Sequence, residues 1–187
     1  MKLMIIWGSS RESRQGGKVV EWIKSQASID GRFEIDFVDL RELNLPMFDE
    51  PANPLTMESF DEYKSPEAKA WAMRVDKAQG FIIITPEYNR SIPAVLKNAL
   101  DTAGKPWIDK PVGIISYGGL SGGMIAAAHL RLIAVELGLI QAAYWLAFPY
   151  FKNSFDDQGQ PERLDYYQAN TKKLLDELVR LQQKFAN

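Results

Sequence analysis

Short, solidly apolar runs recur along this 187-residue chain and alternate with stretches of helical spacing. Leu3-Met4-Ile5-Ile6-Trp7, Phe81-Ile82-Ile83-Ile84 and, nearly, Val112-Gly113-Ile114-Ile115 are continuous, whereas Phe33-Glu34-Ile35-Asp36-Phe37-Val38 alternates. A continuous run asks for burial on both faces, as in a parallel sheet covered by helices, while alternation marks a half-exposed strand. With Ala142 to Leu146 as a fifth run, the pattern reads βαβαβαβαβα. The expected fold is therefore α/β: a doubly wound, five-stranded parallel sheet with helices on both faces. Helices are expected over about 15–28, 66–78, 92–102, 121–137 and 161–185. Val19, Trp22, Ile23 and Ile29 fall at helical spacing in the first; Ser91 is an N-cap candidate for the third, with Pro93 near its start. Leu174, Leu178, Leu181 and Phe185 stripe the last. With no repeat, low-complexity tract or linker, residues 1–187 read as one domain.

Composition removes several function classes. There is no Cys and only one His, His129. Disulfide frameworks, thiolate metal sites, Fe–S clusters, cysteine nucleophiles and multi-histidine metal sites within one chain are excluded, so no metal is expected. Lys plus Arg total 22 against 24 Asp plus Glu, a balance unlike that of a nucleic-acid binder. Leu3 to Trp7 is too short for a signal core or a membrane span, and the C-terminal Lys184-Phe185-Ala186-Asn187 is no lipidation or retention signal. These features are compatible with a cytoplasmic protein. Residues 44–66 hold Pro46, Pro51, Pro54 and Pro66 and lie in an acidic region, so a long irregular excursion is expected there, either a binding wall or a solvated surface loop.

In an open α/β sheet ligands bind beyond the carboxyl ends of the strands, where strand order reverses. Three loops there are unusual. The first, Gly8-Ser9-Ser10-Arg11-Glu12-Ser13-Arg14-Gln15-Gly16, combines hydroxyls, two arginines and a helix N-terminus, a setting that suits a phosphate monoester. A capped turn with two surface arginines fits it equally well. It is neither a Walker A loop nor a G-x-G-x-x-G turn. The second, Thr85 to Pro93, has two prolines flanking Glu87-Tyr88-Asn89, with the N–H groups of 87–89 expected to be available to a flat heteroaromatic ring. Alone, it reads more simply as packing between two proline signals. The third, Ser116-Tyr117-Gly118-Gly119-Leu120-Ser121-Gly122-Gly123, lets backbone approach a ligand closely. Its literal G-x-S-x-G raises a serine hydrolase, but His129 follows Ser121 by eight residues on the same expected helix, which cannot assemble a triad. His129 reads instead as a partly buried helix residue or an interface contact.

Gly8-Ser9-Ser10-Arg11-Glu12-Ser13-Arg14, Thr85-Pro86-Glu87-Tyr88-Asn89-Arg90-Ser91-Ile92-Pro93 with Leu96-Lys97-Asn98-Ala99-Leu100-Asp101, and Ser116-Tyr117-Gly118-Gly119 together resemble the NADPH-dependent FMN reductase family. That family has the flavodoxin-like fold and includes quinone, azo-dye and chromate reductases. The resemblance implies strand order 2-1-3-4-5 and FMN across the three loops. It implies Ser9, Arg11, Arg14 and Gly16 around the flavin phosphate. It implies Pro86, Glu87, Tyr88 and Asn89 along the isoalloxazine, and Ser116, Gly118 and Gly119 at its pyrimidine edge. It further implies ping-pong hydride transfer from NADPH or NADH to the flavin and then to a small-molecule acceptor such as a quinone, azo compound, flavin or metal oxyanion. The Gly118 and Gly119 N–H groups would offset charge at that edge, and no side chain need be catalytic. A flavodoxin-type electron carrier is the alternative. A formal charge of -2, with Arg11, Arg14 and Arg90 near the flavin, suits it less well.

From Met124 to Leu137 only His129, Arg131 and Glu136 are polar, so that helix is apolar nearly all round. One face can cover the sheet and the other calls for a partner subunit, giving an expected homodimer or homotetramer, with residues 44–65 as a candidate wall of the partner's pocket.

Overall fold

The structure, a computed structural model, describes residues 1–185. Ala186 and Asn187, the end of the tetrapeptide read above, lie outside the described residues. The strands are β1 (Lys2–Trp7), β2 (Glu34–Asp39), β3 (Gly80–Pro86), β4 (Pro111–Tyr117), β5 (Ile140–Gln141) and β6 (Leu146–Phe148). The helices are α1 (Gly17–Asp30), α2 (Leu40–Leu43), α3 (Pro66–Asp76), α4 (Ala94–Ala103), α5 (Met124–Glu136) and α6 (Leu164–Phe185). The sheet runs β2-β1-β3-β4-β5, with β6 also on β4, and every pairing is parallel.

Burial follows the apolar runs. β3 and β4 are buried along their whole length and β1 everywhere but Lys2, whereas β2, on the edge, is mostly half-buried. Successive side chains of a strand point to opposite faces, so one helix layer receives Met4, Ile6, Phe81 and Ile83 and the other Leu3, Ile5, Ile82 and Ile84. The first set packs on α3, α4 and α5, and the second on α1 and α6.

Several expectations are corrected. The fifth strand, expected over 142–146, is two short strands, Ile140–Gln141 and Leu146–Phe148, with 142–145 between them. The Ala143 and Tyr144 N–H groups donate to the Glu177 carboxylate of α6 (2.9 and 3.2 Å), so a side chain replaces the ladder there. Ser91 does not cap α4: Pro93 occupies the N-cap and Ser91 belongs to the turn before it. Ile29 and Phe185, expected on buried stripes, lie at helix ends and are exposed, while Leu174, Leu178 and Leu181 are buried. His129 is exposed.

The 44–66 excursion is irregular, as expected, but much of it is packed down. Met57 and Tyr63 are buried, and the Tyr63 hydroxyl donates to the Ala103 carbonyl (2.9 Å). Asn98, buried on α4, holds the segment from both sides: its Nδ2 donates to the Pro46 carbonyl (2.9 Å) and its Oδ1 accepts from the Phe48 N–H (2.7 Å). Truncating Asn98 strands both backbone partners. Asn98→Ala is expected to cost ~1–3 kcal/mol in chemical denaturation and to make residues 44–58 the first site of limited proteolysis.

Candidate functional site

Parallel register brings three strand ends together. Trp7 lies beside Ile84, and Pro86 beside Tyr117, so the loops that follow β1, β3 and β4 leave the sheet side by side. A cavity of about 270 Å³ opens between them. Of the residues named from sequence, Ser9, Arg11, Arg14, Pro86, Glu87, Tyr88, Gly118 and Gly119 line it; Gly16, Asn89 and Ser116 do not.

The first loop is pinned through Arg14. Its guanidinium forms a two-pronged ion pair with Asp39 at the end of β2, donates to the Ser9 carbonyl (2.8 Å) and lies over the Trp7 ring at 3.8 Å. Arg14 and Asp39 side chains are each only 13% exposed. Arg11 is different: it is exposed, donates to Ser13 Oγ (3.3 Å), lies 5.7 Å from the centre of the Tyr88 ring, and has no acidic partner among the described residues. The Ser10, Arg11, Glu12 and Ser13 N–H groups also find no acceptor among the described residues. The first loop thus brings the Arg11 guanidinium and the Ser13 hydroxyl to the cavity and carries a run of open amides beside them, a donor set that suits a phosphate ester.

The second loop is a tight turn in which Tyr88 and Ser91 exchange backbone hydrogen bonds (2.9 and 3.0 Å). Its two central residues, Asn89 (φ 49°) and Arg90 (φ 67°), are both left-handed, the geometry of a type I′ turn. This corrects the expectation of three available amides: Glu87 N–H donates to the Tyr117 carbonyl (3.3 Å) and Tyr88 N–H to Ser91, leaving Asn89. Glu87 has a role that sequence reasoning missed. Gly123 offers α5 no side-chain cap, and the Glu87 carboxylate accepts instead from Ile125 N–H (3.0 Å) and Ala126 N–H (3.3 Å). A carboxylate at a helix N-terminus satisfies open donors and complements the dipole.

The third loop is closed by buried Ser116, whose Oγ donates to the Gly122 carbonyl (2.8 Å), and by Gly123 at φ 82°, where a Cβ would meet the Tyr117 carbonyl oxygen at 2.8 Å. Gly118 N–H donates to the Phe148 carbonyl (3.3 Å), so of the two expected amides only Gly119's has no acceptor among the described residues. A Cβ on Gly119 would meet nothing within 4 Å, which leaves the cavity side of the loop open. The hydrolase reading fails on geometry: His129 Nδ1 meets Ser91 Oγ (3.1 Å), and Ser121 Oγ faces Glu87 (3.5 Å).

Sequence reasoning also missed Tyr117, Phe151 and Lys152, which line the cavity. Tyr117 alternates with Ser116 on β4 and points the other way, toward the first loop. Gly16 makes room for it, since a Cβ there would sit 2.3 Å from the Tyr117 ring. Phe151 and Lys152 follow β6, and the strand-end rule would have named them had the fifth strand been placed to end at Phe148. Among the described residues no cluster of His, Cys, Asp or Glu is arranged to hold a metal, and no helix is long and apolar enough to cross a membrane.

Replacing Glu87 by Ala is expected to lower stability by ~0.5–2 kcal/mol, read as a shift in the denaturation midpoint, by uncapping α5. Alkali gives a second check. Burial pushes the Tyr117 phenol up to about 12, and burial together with nearby Glu50 does the same for Tyr63, from the ordinary 10.0. Between those values the unfolded chain has released these protons and the folded chain retains them, so stability falls as pH rises through the window. Denaturation midpoints measured across it should decline, and less steeply in Tyr117→Phe.

A family model described as NADPH-dependent FMN reductase matches residues 1–153. An NAD(P)H-dependent FMN reductase of Schizosaccharomyces pombe is 38% identical over 133 residues, covering 71% of this chain and 65% of that protein. The 2-hydroxy-1,4-benzoquinone reductase of a Burkholderia species is 35% identical over 146 residues, covering 75% and 73%. The match thus spans just under two thirds of the yeast relative's length. In structure, the flavoenzyme NAD(P)H:(acceptor) oxidoreductase FerB of Paracoccus denitrificans superposes with a TM-score of 0.72 at 21% identity over 98% of each chain. A Streptococcus pneumoniae flavodoxin reaches 0.59 at 11% identity over 94% of this chain and 99% of its own. These likenesses agree with the 2-1-3-4-5 sheet in giving a flavodoxin-like fold. By the family model and the sequence relatives, the chain belongs to the NADPH-dependent FMN reductase family.

Proposed function

We propose that the chain is a single FMN-binding domain working as an NAD(P)H oxidoreductase on small organic acceptors such as quinones. The observation that carries this reading is the convergence of three strand-end loops on one cavity, lined by Arg11 and Ser13 of the first, Tyr88 of the second and Gly119 of the third, in a chain of this family. The chemistry bound FMN supplies is two-electron exchange between a reduced nicotinamide and an oxidised acceptor. Arg11 and the open amides of Ser10 to Ser13 bind the phosphate ester. Arg14, its charge spent on Asp39, and Gly16 shape the loop rather than touch the ligand. Pro86, Tyr88 and the Asn89 turn form the wall for the flat ring, and the Gly119 amide serves its pyrimidine edge. Glu87 and Ser116 act behind them, holding the second and third loops to α5 and to each other.

We place the protein in the cytoplasm, with which a cysteine-free chain is compatible, and assign it a homodimer or a dimer of dimers. α5 buries Ala126, Ala127, Leu130 and Ala134 against the sheet, while Met124, Ala128, Leu132 and Val135 form an outer stripe, Leu132 and Val135 being 71% and 67% exposed. A stripe of that character is best covered by a second copy of the same helix.

The purified protein should carry, or take up, FMN, and anaerobic NADPH or NADH should bleach its visible absorbance without a partner protein. A colourless protein that takes up no added FMN refutes the reading, and bound flavin that neither nucleotide reduces makes it an electron carrier. Arg11→Ala should weaken FMN binding by about tenfold or more in a fluorescence titration, the range of a lost charge-assisted hydrogen bond.

A further inference from the structure

Tyr117 is a buried, cavity-lining side chain with a hydroxyl whose hydrogen-bond direction is set by chemistry. The indole of Trp7 is a donor with no acceptor, and its Nε1–H reaches the Tyr117 oxygen at 3.0 Å. Tyr117 therefore accepts from Trp7 and must send its own proton elsewhere. No backbone or carboxylate acceptor among the described residues takes it; Ser9 Oγ and the cavity lie beside it. Ser9 Oγ in turn shares a hydrogen bond with the Tyr88 hydroxyl (2.8 Å).

The hydroxyl also lies in the right part of the cavity. The position where a Cβ on Gly16 would stand is 2.5 Å from the Tyr117 oxygen, which places that oxygen against the start of α1 and the loop with the open amides. The ring is braced by Phe151, edge to face at 5.0 Å, so the hydroxyl cannot swing away without repacking. Burial keeps the phenol neutral up to about 12, so it remains a donor at any working pH.

We infer that Tyr117 is a further binding residue for the cofactor, a hydrogen-bond donor to its phosphate ester, with Trp7 as the positioning residue that turns the hydroxyl proton away from β1, toward Ser9 and the ligand. This rests on the FMN reading above and adds to it a residue that the strand-end loops alone do not single out. A tyrosine placed only to fill space would serve FMN and riboflavin alike. A phosphate donor serves FMN alone.

The test is a pair of fluorescence titrations of flavin-free protein with FMN and with riboflavin, for wild type and Tyr117→Phe. The variant should lose about tenfold or more in FMN affinity while riboflavin affinity changes by less than about twofold. Because Tyr117→Phe orphans the Trp7 N–H, the double variant Trp7→Phe/Tyr117→Phe removes both partners and guards against a loss caused by instability. It should show the same FMN-selective loss with a recovered denaturation midpoint. Equal losses for the two flavins, or no loss for FMN, overturn the assignment of Tyr117 and leave the FMN reading standing. Wild-type protein that binds neither flavin overturns both.

Discussion

The guanidinium of Arg14 is the point on which the site's geometry depends. It closes a two-pronged ion pair with Asp39, holds the Ser9 carbonyl and covers the Trp7 ring, so it ties the first loop to the ends of two neighbouring strands. Such a pair, nearly withdrawn from water, gains little net stability over an apolar substitute, because desolvating both ions offsets most of their attraction. Its value here is positional. With Arg14 anchored, the loop turns back so that Ser9 meets Tyr88 of the second loop and α1 begins directly beneath Tyr117 of the third. The three loops are thereby cross-braced by side chains as well as by the sheet.

Much of this was legible in the sequence, because the signals involved are local. The continuous runs at 3–7, 81–84 and 112–115 become the fully covered strands, and the alternating run at 33–38 becomes the half-buried edge. Residues following those strands could then be nominated as a site by topology alone. What escaped was decided by partners distant in sequence. Arg14 and Arg11 look alike in the chain, and only the pairing of β1 with β2 brings Asp39, twenty-five positions on, to neutralise one of them. The Glu87 carboxylate looks like a cavity group until α5 is found uncapped beside it. The fifth strand failed for a similar reason: Glu177 on α6 supplies the acceptor that draws 143–144 out of the ladder. The shift of that strand end hid Phe151 and Lys152.

Backbone economy accounts for the placement of the glycines and the left-handed residues. Gly16 exists for the Tyr117 ring and Gly123 for the Tyr117 carbonyl, so two of the loops are shaped around one aromatic residue of β4. The second loop uses no glycine. Its type I′ turn holds Asn89, which tolerates positive φ, and Arg90, which does so at a cost of order 1 kcal/mol. The surrounding hydrogen bonds between Tyr88 and Ser91 and the packing of Ile92 offset that cost.

The resulting cavity divides its labour between charge and direction. Arg11, exposed and without an acidic partner among the described residues, can attract an anion without having been desolvated, yet as a long surface side chain it specifies orientation poorly. Buried neutral donors do the reverse: they contribute little long-range attraction but are already aligned, so a ligand that meets them has no side-chain entropy to remove. Neutralising Arg14 with Asp39 matters for the same reason. A second free guanidinium packed on Trp7 would strengthen attraction for any anion, whereas a neutralised one leaves recognition to the amides and hydroxyls whose positions the fold controls. On the proposed function, selectivity for a phosphate ester attached to a flat ring would follow from the spacing between the first loop and the second and third, which is set by strand register and not by any single side chain.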